Sequence, residues 1–304
     1  MFGFREEFDY FQCEACECLQ IAKIPSNLKK YYGENYYSLQ CSPQKKSRIV
    51  RDFIRKSRAR YAICGTGLIG WILSMTKAPD PMHSVYRRVQ LKPSDRLLDV
   101  GGGAGGHVAS LQSLGFRDVM SVDPNIDEDV FNNGALIAKK SNIFDIGGEY
   151  DLITFHHSLE HMTDQVDVMK KAAELIGKNG RILVRIPTVT SDAWNIYREN
   201  WVNLDAPRHF YLHSYTSIRH LAEQAKLNII DFWNDSVAFQ FWGSEQFIKD
   251  IPLNDPLSYS QNQTASIFSE GQIRDFQAKA DALNHAEKGD WICVLLSNNT
   301  ADVK

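Results

Sequence analysis

The chain has little charge of one sign. Across 304 residues, 34 lysines and arginines stand against 37 acids, for a net charge of −3. Bulk electrostatics therefore give no reason to expect nucleic acid as a partner. No basic, apolar leader opens the sequence, because Phe2–Tyr10 carries Arg5, Glu6, Glu7 and Asp9; a signal peptide is not expected. Long apolar runs are missing too. The longest, Tyr61–Met75, is broken by glycines and polar residues, and a bilayer span takes about 20 apolar residues. A cytoplasmic protein without a transmembrane segment is the expectation.

Cysteines are few and unevenly placed. Cys13, Cys16 and Cys18 cluster, while Cys41, Cys64 and Cys293 are scattered. In a cytosolic chain such spacing points to metal before disulfide. A structural zinc site takes four ligands, usually from two cysteine pairs. Only Cys13 and Cys16 form such a pair, with Cys41 as an extra candidate in an unrelated setting. The spacing describes half of a zinc ribbon.

Composition divides the chain into three stretches. Residues 1–44 hold the cysteines and a tyrosine-rich run from Tyr31 to Tyr37. Residues 45–90 read as helical. They contain a basic cluster (Lys45, Lys46, Arg48, Arg51, Arg55, Lys56, Arg58 and Arg60) interleaved with Ile49, Val50, Phe53 and Ile54. The plain reading is an amphipathic helix with a solvated face; the sharper one is a surface for a polyanion or a membrane. From residue 91 onward, short apolar strands alternate with helices, which marks an α/β sheet. Strands are expected at Arg96–Val100, Val119–Val122, Ala135–Ala138, Asp151–Phe155, Arg181–Ile186, Asn228–Phe232 and Trp291–Leu296. A turn is expected at Asn179-Gly180. Ser214 is a natural N-cap for a helix over Tyr215–Ala225. The stretch 236–290 interrupts the alternation, with a helical segment near Gln272–Leu283, so the last two strands should form an antiparallel pair at one edge.

The most informative segment is Leu97-Leu98-Asp99-Val100-Gly101-Gly102-Gly103-Ala104-Gly105-Gly106. It reads as a buried strand, a tight turn and a helix start. Gly101 and Gly103 can adopt positive φ and let a ligand approach the main chain, and the helix beyond offers unpaired N–H groups. The spacing also satisfies G-x-G-x-x-G, the dinucleotide fingerprint. Asp99 breaks the tie: a carboxylate there would repel a pyrophosphate but suits a cofactor with a sulfonium and an α-ammonium group. Ligands of such sheets bind at the carboxyl ends of the strands. Those ends carry Asp123-Pro124, where an acid can hold both ribose hydroxyls, then Asn142-Ile143, suited to an adenine edge and face. The next end carries His156-His157-Ser158-Leu159-Glu160-His161. This last stretch formally contains H-x-x-E-H, a zinc-protease pattern, but it falls at a strand end and is read as a loop lining the cleft.

Taken in order, the glycine stretch, Asp123-Pro124, Phe155–His161, Gly180–Val184 and the late strand Trp291–Leu296 resemble a class I S-adenosylmethionine-dependent methyltransferase over roughly residues 90–300. The subgroup it is most similar to has an N-terminal zinc-ribbon-like segment and a Leu-Asp-Ala-Pro-Arg-His segment, matched by Leu204–His209. It acts on sugars, nucleotide sugars or cell-surface polysaccharide. The first cysteine pair of that ribbon is missing, and the second glycine position is Gly102 where many such enzymes have Cys or Thr. The resemblance implies a Rossmann-like seven-stranded sheet with the last strand antiparallel and helices on both faces. It implies S-adenosylmethionine bound by Asp99, Gly101, Gly102, Gly103, Asp123, Pro124, Asn142, Ile143, His156 and His157. Methyl transfer then needs a base for the acceptor's proton. His209 is the first candidate, followed by His157, His161 and Glu160. Arg208 can hold an anionic part of the substrate, and Tyr197 and Trp201 offer stacking faces for a sugar. The rivals are an NAD-dependent oxidoreductase on the same sheet and a cofactor-binding module without catalysis.

Overall fold

The structure is a computed structural model that describes residues 3–32, 49–75 and 81–298. Cys41, the tyrosines of the run beyond Tyr32, and Lys45, Lys46 and Arg48 lie outside these residues. Two short strands come first, β1 (Tyr10–Gln12) and β2 (Leu19–Ile21). Three helices follow, α1 (Ile49–Cys64), α2 (Leu68–Ser74) and α3 (Pro81–Arg88). The α/β part then runs β3 (Leu97–Val100), α4 (Gly106–Ser113), β4 (Val119–Val122), β5 (Val130–Asn132), β6 (Ala135–Lys139) and β7 (Tyr150–His156). It continues with α5 (Gln165–Leu175), β8 (Ile176–Pro187), α6 (Asp192–Tyr197), β9 (Tyr211–Leu212), α7 (Tyr215–Gln224) and β10 (Asn228–Asn234). It closes with α8 (Phe239–Ile248), α9 (Glu270–His285) and β11 (Trp291–Ser297). Among the described residues no helix is long and apolar enough to cross a membrane.

All seven expected strands are present. They lie in one sheet of order β10-β11-β8-β7-β3-β4-β6-β5. The five central strands β8, β7, β3, β4 and β6 are parallel, and β11 runs antiparallel to both β8 and β10. An eighth strand, β5, extends the far edge by pairing antiparallel with β6. Its turn is Asn133-Gly134, both at positive φ, the commonest two-residue hairpin signal. A second difference concerns Asn179-Gly180. β8 begins directly after α5, pairing Ile176 with Tyr150 before a register irregularity, so these two residues lie within the strand.

Side chains on successive strand residues point to opposite faces, and the two faces carry separate cores. Leu98, Ile182, Val184 and Ile186 pack with Val168, Met169 and Ala172 of α5 and Ile218 and Leu221 of α7. Leu97 and Leu183 point the other way, to Ala59 and Ile63 of α1, Val85 and Tyr86 of α3, and Val108 and Leu111 of α4. Ser214 caps α7 as expected, accepting the Ser217 N–H in a capping box. A third cluster joins the 236–290 stretch to the rest through Phe241 and Ala280, packed with Leu19, Tyr197, Trp201 and Leu212. The N-terminal hairpin is fastened beside this cluster, where β2 pairs antiparallel with β9.

Leu98 is fully buried at the centre of the first core. Leu98→Ala should lower the unfolding free energy by about 2–5 kcal/mol in urea titration; a loss below about 1 kcal/mol would mean that β3 is not the packed centre of the sheet.

Candidate functional site

Chain order places the switch point of the sheet at β3. From there β4 and β6 build outward on one side, while β7 and β8 lie on the other. Ligands of such sheets settle in the crevice at the carboxyl ends beside this point. The loops after β3 and β7 meet there. The Ser158 hydroxyl donates to the Val100 carbonyl at 2.6 Å. Gly101, at φ +75°, permits the approach: a Cβ on it would lie 2.5 Å from the Ser158 Cβ. Gly103 is also at positive φ. The turn thus presents bare main chain just before α4, as the sequence implied.

Asp99 sits differently from its expected role. It is 1% exposed, accepts a hydrogen bond from the Thr154 hydroxyl at 2.7 Å, and lies so close to Gly102 that a Cβ there would be 2.3 Å from its Oδ2. Enclosed between strands, it acts on the turn from beneath. Burial raises its pKa to about 6. Asp123 closes the turn from the other side, accepting the Gly103 N–H at 2.9 Å and the Asn125 N–H at 2.8 Å. Pro124 follows it on the surface. Asn142 accepts the Phe144 N–H at 3.3 Å, and Ile143 beside it is buried. Tyr86 bridges His107 and His156 through its hydroxyl, tying α3 to the start of α4 and the end of β7. Gly101, Gly102, Gly103, Asp123 and Asn142 therefore lie on loops at the carboxyl ends of the strands, with His156 as the last residue of β7.

The loop after β7 is not a zinc-protease helix. His157 follows the strand at φ +50°, and Leu159–His161 form one 3-10 turn. Glu160 is fully buried, and neither carboxyl oxygen has a hydrogen-bond partner among the described residues. Its Oε1 lies 3.6 Å from His157 Nδ1 and 3.9 Å from His209 Nε2. Asp205 Oδ2 is 3.7 Å from the same His209 nitrogen. His209 Nδ1 donates to the Asn203 carbonyl at 2.7 Å, and His161 Nδ1 donates to the Arg208 carbonyl at 2.8 Å. Both imidazoles thereby keep Nε2 as an acceptor, and the rings stand 4.7 Å apart. The Phe210 N–H donates to the Glu160 carbonyl at 2.8 Å, locking the two loops together. Reactive atoms of Glu160, His161 and His209 fall within 4.8 Å of one another.

Burial sets the charge state of this cluster. The Glu160 carboxyl is pushed up to about 8 by desolvation, with Asp205 adding to the shift. His209 is pushed down to about 3 by burial and then by the Arg208 guanidinium. His161 also falls to about 3, by burial and by His209. His157 is held well below its ordinary value by burial and by Arg185. Near neutral pH, Glu160 is protonated and the imidazoles are neutral.

Several expectations separate here. Arg208 is ion-paired with Asp205 and buried, and its guanidinium lies over the Tyr32 ring. Tyr197 and Trp201 are buried, with Tyr197 bonded to Glu245 and Trp201 to Asp290. They brace the wall behind the loop and present no open face for stacking. Cys13 and Cys16 lie in the turn between β1 and β2, where backbone N–H groups of Cys16 and Ala15 lower the Cys13 thiol. Among the described residues, neither belongs to a three-ligand group.

Sequence reading missed other contributors. Arg185 stands in an otherwise apolar strand and pairs with Asp235 at 2.6 Å; a charge inside such a run is a usable signal. Tyr10, whose hydroxyl donates to the His209 carbonyl at 2.8 Å, has no sequence signal of its own. A cavity of about 550 Å³ adjoins this loop, lined by Phe4, Glu6, Phe8, Tyr31, Asp205 and Arg208 among others.

Asp99 yields a stability test. Its folded pKa lies above the unfolded value of 3.8, so protonation favours the fold and that stability is lost as pH rises through about 6. Asp99→Asn stays neutral throughout. Its advantage over the native chain should grow with pH and level off above pH 6 near about 3 kcal/mol by urea titration. A gap that does not change with pH would show that Asp99 is ionised at no cost.

Residues 76–231 match the family described as a methyltransferase domain. No curated protein matches the chain. Among solved structures, one match is a protein of Thermotoga maritima described as a SAM-dependent methyltransferase and possible histamine N-methyltransferase. It is 12% identical, with a TM-score of 0.45 over 83% of this chain and 97% of that one. A Haemonchus contortus phosphoethanolamine N-methyltransferase 2, solved with S-adenosylhomocysteine, is 14% identical, with a TM-score of 0.47 over 93% of this chain and 62% of that one. A Streptomyces coelicolor geranyl diphosphate C-methyltransferase is 12% identical, with a TM-score of 0.40 over 68% and 73%.

Proposed function

The chain belongs to the methyltransferase-domain family and is a class I S-adenosylmethionine-dependent methyltransferase, and from that footing we propose that it methylates a small polar acceptor of the sugar class, with the Glu160–His209 pair taking the acceptor's proton. The NAD-dependent oxidoreductase reading has no support in the family match. When bound, the cofactor supplies a methyl group already activated on a sulfonium.

The residues present fit that group. Gly101 and Gly102 carry no side chain and pack directly on Ser158 and Asp99, so the turn offers main chain rather than side chains to a ligand. Asp123, Pro124, Asn142, Ile143 and His156 lie on neighbouring strand ends and would hold the adenosyl part. Asp99 keeps the turn in shape from below. Support for a sugar-class acceptor comes from the Leu204–His209 segment and from the acids and aromatic rings lining the adjoining cavity, since polyhydroxyl ligands use both. Arg208, paired with Asp205, orders the segment that carries His209.

One observation carries the proton-transfer reading: the buried Glu160 carboxyl without a hydrogen-bond partner, facing the acceptor nitrogen of His209. In its protonated form Glu160 is a neutral group 3.9 Å from that nitrogen and offers a forming imidazolium no opposite charge. Once ionised, it stabilises the imidazolium that forms when His209 Nε2 accepts the acceptor's proton. His157, 3.6 Å from the same carboxyl, and His161, beside His209, shape the polarity of the pocket.

Turnover should therefore rise with pH, with a midpoint near the Glu160 value of about 8. Glu160→Gln should abolish that rise. A profile unchanged in the variant would remove Glu160 from the proton path. Calorimetric titration with S-adenosylhomocysteine should show binding, and NADH should show none; binding of NADH alone would overturn the cofactor assignment. His209→Ala should cut turnover by about 100-fold or more and leave S-adenosylhomocysteine affinity within about twofold. Loss of that affinity would move His209 to the cofactor side.

A further inference from the structure

The α1–α2 hairpin has apolar residues on two opposite sides. Its inner side is part of the second core, where Ala59 and Ile63 pack with Val85, Tyr86 and Val89. Its outer side is also apolar. On α1, Val50 is 69% exposed, and Phe53 and Ile54 are exposed beside it. On α2, Leu68 is 70% exposed, Met75 just after the helix is 69% exposed, and Ile69, Trp71 and Ile72 lie between them. The two helices touch closely at Gly70, where a Cβ would come within 2.3 Å of the Ser57 carbonyl oxygen. Their outer residues therefore form one surface. An amphipathic helix with one solvated polar face does not describe this arrangement.

Charge is distributed around that surface. Arg51, Arg55, Lys56 and Arg60 are exposed. At 3.6 residues per turn, Arg51 and Arg55 fall on one side of the Val50–Phe53–Ile54 stripe, and Lys56 and Arg60 on the other. Asp52 is the sole acid between Ile49 and Met75, and it is 3.4 Å from Arg55. α2 carries no charged residue. An aliphatic and tryptophan ridge with cations along both flanks is what an interfacial helix presents to a bilayer. The apolar side chains enter the acyl boundary while the long cationic side chains reach the headgroups.

We infer that the outer face of α1–α2 docks the protein on an anionic lipid bilayer. A second copy of the chain is a poorer occupant. A two-fold contact sets each patch against itself, which would oppose Arg51, Arg55, Lys56 and Arg60 with their own equivalents. A soluble polyanion would satisfy the cations and leave Leu68, Ile69, Ile72 and Met75 in water. A surface carrying anionic headgroups over an apolar interior satisfies both sets. The hairpin's inner face packs on α3, whose Tyr86 reaches His107 and His156.

Co-sedimentation of the full chain with vesicles is the test. Binding to vesicles of phosphatidylcholine with phosphatidylglycerol should exceed binding to phosphatidylcholine alone by about tenfold or more, and should weaken as salt is added. Leu68→Glu combined with Ile72→Glu should abolish sedimentation. Arg55→Glu combined with Arg60→Glu should remove the preference for the anionic vesicles. Thermal unfolding by circular dichroism should be unchanged in both variants, because all four side chains are on the outer face. No sedimentation with anionic vesicles, or equal binding to both kinds, would overturn the inference. So would native-like binding of folded variants, or a dimer in sedimentation equilibrium that Leu68→Glu with Ile72→Glu dissociates.

Discussion

The site depends on one close approach, between the loop after β3 and the loop after β7. Ser158 reaches across to the Val100 carbonyl, and Gly101 has no side chain to prevent it. That contact brings a turn of bare backbone alongside a loop dense in ionisable side chains. A larger residue at Gly101 would push the β7 loop away, and with it Glu160 and His161. The second fastening is the hydrogen bond from Phe210 N–H to the Glu160 carbonyl, which holds the segment carrying His209 against the same loop. Three regions far apart in sequence are thus closed on one cleft by one side-chain hydroxyl and one main-chain hydrogen bond.

Much of the scaffold could be read from the sequence because local patterns set it. Alternation within Leu97–Val100 and Arg181–Ile186 gave strands whose two faces serve two cores. Ser214 signalled a helix start, and the glycines signalled a turn with positive φ at Gly101 and Gly103. The roles that escaped depend on contacts across the fold. Asp99 looked like a charge offered to a ligand, but pairing between β3 and β7 encloses it with Thr154. Tyr197 and Trp201 looked available for stacking, but α8 and Asp290 cover them from the 236–290 stretch. The pairing of Arg185 with Asp235, and the reach of Tyr10 to His209, join residues that no local pattern links. β5 escaped for a different reason: its Asn133-Gly134 turn is a local signal, but its strand is only three residues long.

Burial is also what gives the cluster its chemistry. Glu160 and His209 are removed from water, so both favour their neutral forms. A neutral, closely spaced acid and base cost the fold less than an ion pair without solvent would. The backbone carbonyls of Asn203 and Arg208 fix the imidazole tautomers, so the nitrogen that can receive a proton is already oriented.

The central claim is that the bare glycine turn and the Glu160–His209 pair serve one reaction. A crystal structure with S-adenosylhomocysteine tests this most directly. The account predicts the ligand's methionine part on the main chain of Gly101–Gly103, its ribose at Asp123, and its sulfur facing the space beside His209 Nε2. Density that lies away from the glycine turn, or that turns the sulfur away from the Glu160–His209 pair, would contradict it.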